Sequence, residues 1–233
     1  TIYYHLGDYV SAIDYSIEAL KIDSSIYGKE SDQYLNDLGN LAVYYGAFGN
    51  LDTALVINNE NLRLHEIVFG KNHSEYITAL NNLQQTYSDL GIKVKALEIA
   101  EKVVELRKKI DGDSHSSYAI SLSNLASVLD DLGELERAIK LQEKSNNLLE
   151  KIFGNEHGEF LRSNNNLSLL YLKSGKKEKA LELMLSNINL SEKIYGSKHP
   201  DYILSLHNMS SIYTELNDNL EALNYAKMAN RLY

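Results

Sequence analysis

The chain contains no cysteine, no tryptophan and a single proline, Pro200. Without thiols it can form no disulfide, use no cysteine nucleophile and hold no cysteine-ligated zinc, and a small disulfide-stapled secreted domain is excluded. One proline and thirteen glycines among 233 residues rule out collagen-like and proline-rich linker classes, and suit helices joined by short turns. Also missing is any apolar run approaching the roughly 18–20 residues that span a bilayer, and no signal-peptide pattern opens the sequence. Positive charge is scarce: 23 Lys and Arg face 32 Asp and Glu, a formal charge of −9. That balance favours solubility and repels phosphate backbones, and no basic stripe marks a nucleic-acid footprint. The expectation is a cytoplasmic protein with no membrane segment and no nucleic-acid partner.

What the chain does have is repetition. The phrases YGKESDQY from Tyr27, FGKNHSEY from Phe69, DGDSHSSY from Asp111, FGNEHGEF from Phe153 and YGSKHPDY from Tyr195 place Gly28, Gly70, Gly112, Gly154 and Gly196 at intervals of 42 residues. Three further series keep the same phase. One is Ala12, Ala54, Ala96, Ala138, Ala180 and Ala222; another is Gly7, Gly49, Gly91, Gly133, Gly175 and then Asn217; the last is Asn40, Asn82, Asn124, Asn166 and Asn208. Asparagine tolerates the left-handed conformation that ends helices, so Asn217 can stand where the others have glycine. Four in-phase series over the whole chain make this a repeat protein. The expected organisation is a single solenoid over 1–233: a partial repeat 1–27, repeats 28–69, 70–111, 112–153 and 154–195, and a truncated repeat 196–233. The first residue is Thr1 and neither end carries a polar capping segment, so the parent protein is expected to continue in at least one direction.

Each unit reads as two helices. Tyr118, Leu122, Leu125, Ala126 and Leu129 recur at spacings of three and four and predict a helix over Ser116 to Asp131. Gly133 marks a turn, and a second helix is predicted over about Leu135 to Ile152 before Gly154 breaks it. The small residue at the Ala138 position predicts a close helix crossing. Two such helices cannot bury their apolar faces alone, so the units must stack.

The stretches ALNNLQQTYSDLG from Ala79 and SLSNLASVLDDLG from Ser121, each running on to a glycine joint, resemble the tetratricopeptide repeat, in the 42-residue variety found in kinesin light chains. Leu41, Leu83, Leu125, Leu167 and Met209 match its packing leucine. Ala42, Ala126, Ser168 and Ser210 match its small position, from which Gln84 departs, and Tyr45, Tyr87, Tyr171 and Tyr213 its aromatic one, from which Leu129 departs. The resemblance implies an all-α, right-handed solenoid of stacked antiparallel helix pairs that is not an enzyme, needs no cofactor and binds a protein or peptide in a concave groove lined by first helices. Asn40, Asn82, Asn124, Asn166 and Asn208 would form a ladder along that groove, since a carboxamide both donates to and accepts from an extended backbone. The alternative is that each asparagine bonds a neighbouring helix and sets the superhelical angle. Basic groove candidates are few, chiefly Arg162 and Lys173, and Asp130, Asp131 and Glu215 stand near them. Light chains are associated with an acidic, tryptophan-containing peptide; the residues here point to a neutral or basic ligand, or to none.

Other features are read as structural. His73, His115, His157 and His199 recur once per repeat. Stacked helices separate such positions by roughly 10 Å, too far to share a metal ion whose ligands must each lie about 2 Å away. They are read as hydrogen-bonding groups at helix starts. The additional asparagines of NNEN, Asn58 to Asn61, and of SNNNL around Asn165 are read as surface composition. Tyr3, Tyr4, Tyr44 and Tyr225 fall outside the repeat packing positions and are candidates for exposed interface aromatics. The function expected is a non-catalytic interaction module. The alternative is a structural or regulatory scaffold arm of a larger multidomain signalling protein or protease, with homo-oligomer contacts or contacts to other domains of the parent chain left open.

Overall fold

The computed structural model describes residues 2–232, and every regular element among them is an α-helix. In order these are α1 (Ile2–His5), α2 (Tyr9–Ile26), α3 (Asp32–Ala47), α4 (Leu51–Phe69), α5 (Ser74–Asp89), α6 (Lys93–Asp111), α7 (Ser116–Asp131), α8 (Leu135–Phe153), α9 (Gly158–Lys173), α10 (Lys177–Tyr195), α11 (Pro200–Glu215) and α12 (Asn219–Leu232). The helix predicted over Ser116 to Asp131 is α7, and α8 runs one residue past the predicted Ile152. The chain divides into two compact units, 1–110 and 111–233, and each is a stack of antiparallel helix pairs.

In the first unit Leu35, Leu38, Leu41 and Tyr44 of α3 pack on Ala12, Ile13 and Leu20 of α2 and on Leu64 of α4. Next to them Tyr76, Ile77 and Leu80 of α5 close over Val103 of α6. In the second unit Ala119, Leu149, Phe160 and Leu161 form one cluster. Met184 and Ile188 of α10 meet Leu206, Met209 and Ile212 of α11 in another. The recurring alanine is fully buried at Ala54, Ala96, Ala138 and Ala180. A larger side chain there would force the crossing helices apart, at about 1–3 kcal/mol. One expectation is corrected. Tyr44 is core rather than interface, because its place on α3 falls in phase with Leu41. Tyr4 packs on it at 5.1 Å and Tyr225 stacks on Tyr213 at 5.4 Å, while Tyr3 remains exposed.

Two kinds of joint hold the helices in phase. Between α7 and α8, Gly133 adopts φ 81°, the Glu134 N–H donates to the Leu129 carbonyl and the Gly133 N–H to that of Asp130, both at 2.8 Å. That pair of bonds satisfies carbonyls left open by the helix end, and it requires a left-handed residue. Asn217 fills the same role before α12 with φ 59°. At the longer joints the backbone N–H of Glu75, Ser117, Glu159 and Asp201 each donates to Nδ1 of the histidine two residues earlier, at 3.2 Å. The neutral imidazole then carries its proton on Nε2. His73, His157 and His199 also stack on Phe69, Phe153 and Tyr195, with centroids 4.8, 4.0 and 4.3 Å apart. Ser31 takes the capping role at the first joint, accepting from the Tyr34 N–H at 3.4 Å. Pro200 is the first residue of α11, where no backbone donor is needed.

Candidate binding clefts between the first helices

Within each unit the first helices of successive pairs leave clefts whose floors come from the second helix between them. In the first unit a cleft of about 310 Å³ lies between α3, α4 and α5. Val43, Gly46 and Ala47 form one wall, Asn82, Gln85 and Asp89 the other, and Asn58 of α4 reaches the floor. Asn58 is 3% exposed, and its Nδ2 donates to Thr86 Oγ1 at 2.8 Å. Thr86 in turn donates to the Asn82 carbonyl at 3.0 Å, and Gln85 donates to Asp89 at 2.8 Å.

The same cleft recurs two repeats later, in the second unit, between α7, α8 and α9, with a volume of about 280 Å³. Its floor residue is Gln142, 1% exposed. Gln142 accepts from Ser123 Oγ at 2.9 Å and donates to Ser163 Oγ at 2.8 Å and the Ser163 carbonyl at 3.2 Å. Across the mouth Lys173 of α9 pairs with Asp130 of α7 at 2.5 Å. The corresponding positions in the first unit are Asp89 and Gly46, which cannot form that pair. Elsewhere on α9, the Tyr171 hydroxyl donates to Glu143 at 2.7 Å. Burial and the neighbouring carboxylate push its pKa up to about 12.

A second cleft lies nearer the starts of the first helices in each unit. In the first unit it measures about 350 Å³ and is lined by Asn36, His65, His73 and Glu75. His65 is buried there, its Nδ1 donating to the Asn61 carbonyl at 2.8 Å. The counterpart in the second unit measures about 190 Å³ and lies between α9, α10 and α11. At its edge the Arg162 guanidinium sits 3.1 Å from Glu159 and 3.7 Å from Asp201.

The ladder residues have unlike surroundings. Asn82 lines the 310 Å³ cleft of the first unit, and Asn166 lines both clefts of the second. Asn124 and Asn166 are exposed and make no side-chain hydrogen bond among the described residues. Asn40 is exposed and bonds Asp37, whose carboxyl is held above its usual range first by burial and then by the charge of Asp23. Asn208 is half-buried and donates to Asn165 Oδ1 at 2.9 Å. Both basic candidates, Arg162 and Lys173, are already paired with carboxylates.

The reading of the other asparagines as surface composition is overturned. Asn58, Asn61, Asn164 and Asn165 are buried. Asn61 donates to the Leu35 carbonyl at 2.7 Å and Asn164 accepts from Asn146 at 2.7 Å. A signal existed: Asn58 and Gln142 stand four residues after Ala54 and Ala138, the position filled by Ala100 and Met184 in other repeats. Phase marks them as inward-facing even though their side chains are polar.

Among the described residues no group of three or more His, Asp or Glu side chains is arranged to hold a metal ion, and no helix is long and apolar enough to cross a membrane. The sequence profile of the tetratricopeptide repeat matches residues 1–60, 94–151, 117–186 and 159–233. No curated protein matches the chain. Among solved structures, BtubC (BKLC) from P. vanneervenii is similar at 16% identity and a TM-score of 0.80, over 96% of this chain and 90% of that one. A Podosopora anserina protein described as a kinesin light chain with nearly identical TPR-like repeats is similar at 23% identity and a TM-score of 0.72, over 85% and 93%. A Rap protein complexed with competence and sporulation factor is similar at 14% identity and a TM-score of 0.67, over 99% and 72%. At these identities the likeness speaks for the fold.

Proposed function

The chain belongs to the tetratricopeptide repeat family, whose members mediate protein–protein interactions, and on that premise we propose that its first-helix clefts hold an extended segment of a partner protein. The observation that carries this reading is the matched placement of Asn82 and Asn166, one repeat position in two equivalent clefts. A carboxamide on a cleft wall can donate to a carbonyl and accept from an N–H of a passing backbone, which gives affinity without demanding a particular side chain. Asn40, Asn124 and Asn208 extend the same role within their own units. The segment we expect is neutral or basic: Asp89 stands in the first cleft, the basic groove candidates Arg162 and Lys173 are paired with carboxylates, and the chain carries a charge of −9. We also infer the 42-residue, kinesin-light-chain-like variety of the repeat, supported by first helices that begin at Asp32, Ser74, Ser116, Gly158 and Pro200. The similar Rap protein was solved in complex with a factor, which supports a binding role for such a scaffold.

The test is a peptide-array screen with the wild type, followed by titration of captured peptides against the double variant Asn82→Ala plus Asn166→Ala. Losing two backbone-gripping side chains is expected to weaken binding about tenfold or more, with helicity and melting unchanged. Equal binding by both proteins would overturn the ladder.

A further inference from the structure

The smaller cleft of the second unit contains a buried acceptor without a donor. Asn187 of α10 is 2% exposed and lines this cleft of about 190 Å³, and its Oδ1 has no hydrogen-bond partner among the described residues. Its Nδ2 makes only a long bond, 3.3 Å, to Ser205 Oγ on α11. Two other repeats close this position internally, and a third fills it with the apolar Val103. Asn61 donates to the Leu35 carbonyl at 2.7 Å, and Ser145 donates to the Ala119 carbonyl at 2.6 Å. The matching carbonyl for Asn187 belongs to Leu161, and Asn187 turns instead towards the next first helix. Buried polar atoms are nearly always satisfied, so an orphan on a cleft wall points to a group that arrives from outside.

The surroundings say which group. Leu161 and Leu204 give apolar walls, and Arg162 offers guanidinium donors at the edge. Resting on the peptide-groove reading, we propose that this cleft is a subsite for one glutamine side chain of the bound segment. Its methylenes lie between Leu161 and Leu204, its amide N–H donates to Asn187 Oδ1, and its carbonyl accepts from Arg162. Lysine would bring a full charge onto a neutral buried floor, which costs desolvation. Glutamate would set a carboxylate against the Asn187 oxygen and Asp201. Leucine would leave the acceptor unmet.

The probes are acetylated, amidated peptides of sequence Ser-Ala-Ala-X-Ala-Ala-Ser, with X as Gln, Asn, Glu, Lys, Leu or Ala, titrated into isotope-labelled protein and followed by NMR shifts. The glutamine peptide is expected to bind about tenfold more tightly than the leucine and glutamate peptides, the effect of one well-buried hydrogen bond. Two variants check the cause. Asn187→Leu removes the acceptor at similar size, and Asn187→Ser restores the bond that Ser145 makes. In both, the glutamine advantage should fall to within about twofold while the alanine peptide binds as before. A preference for another residue, asparagine included, or one that survives both substitutions, overturns the subsite. Equal binding by all six peptides overturns the subsite alone. If no peptide binds, alanine included, the groove reading falls and the subsite with it.

Discussion

The cleft between α3, α4 and α5 and the cleft between α7, α8 and α9 occupy the same repeat position, yet one is open at the mouth and the other is latched. In the second unit Lys173 reaches across to Asp130; in the first, Asp89 faces Gly46 and binds Gln85 on its own helix. Their floors differ too. Gln142 ties α8 to both neighbouring first helices, through Ser123 and Ser163, whereas Asn58 makes a single bond to Thr86. Repetition therefore fixes backbone placement without fixing chemistry. One cleft has no ion pair across its mouth among the described residues, and the other carries the Lys173–Asp130 pair and a floor that ties α8 to both neighbouring first helices.

The largest expected effect comes from the floors. Gln142→Ala should cost about 2–4 kcal/mol in urea unfolding, since it leaves Ser123 and Ser163 without their partner and opens a cavity. Asn58→Ala should cost about half as much, about 1–2 kcal/mol, because one bond is lost. Equal costs would show that the two floors do the same work. Joints come next, and there the two units agree. His157→Ala removes the acceptor for the Glu159 N–H and should cost about 1 kcal/mol. His157→Ser should recover most of that loss, as Ser31 already caps the first joint. No recovery would show that the ring stacking on Phe153, and not the cap, holds the joint.

The latch itself is exposed, so moving it should change stability by less than about 1 kcal/mol. Gly46→Asp with Asp89→Lys installs it in the first unit, where a Cβ on Gly46 meets open space. Peptides that bind wild type through Asn82 should lose affinity to this variant, and Lys173→Ala should strengthen binding in the second cleft at Asn166. Unchanged affinity in both titrations would remove the latch as a gate. The smallest effect is electrostatic. Burial, then the charge of Asp23, raises the Asp37 pKa, so its ionised form destabilises the folded state. A raised carboxyl pKa means stability that is present in acid and lost as pH rises through the folded value. Asp37→Ser, the residue found at the equivalent Ser121 and Ser163, should therefore raise the melting temperature at neutral pH. The gain should vanish below the ordinary carboxylate range, and a gain independent of pH would assign it to packing.

Much of this is legible in the residues. The glycine and alanine phases locate the helix pairs, and α7 coincides with the predicted Ser116 to Asp131 because apolar spacing and a left-handed Gly133 act locally. The histidine caps are legible for the same reason, since each bonds only two residues onward. The buried asparagines are legible only in part. Phase marks Asn58 as inward-facing, but the partners that satisfy Asn58 and Asn164, Thr86 and Asn146, come from neighbouring helices. Tyr44 is a similar case: its phase with Leu41 is readable, and packing against α2 and α4 closes the core around it.

The sequence by itself determined the period, the helix pairs and the chemistry of the joints, all set by interactions within a few residues of one another. The tertiary structure decided which polar side chains are buried and which are free. Lys173 with Asp130, Gln142 with Ser163 and the unmatched Asn187 depend on helices meeting across long stretches of chain. A hydrogen bond between side chains on different helices exists only when packing brings donor and acceptor within about 3 Å, and no periodicity in the sequence specifies that distance.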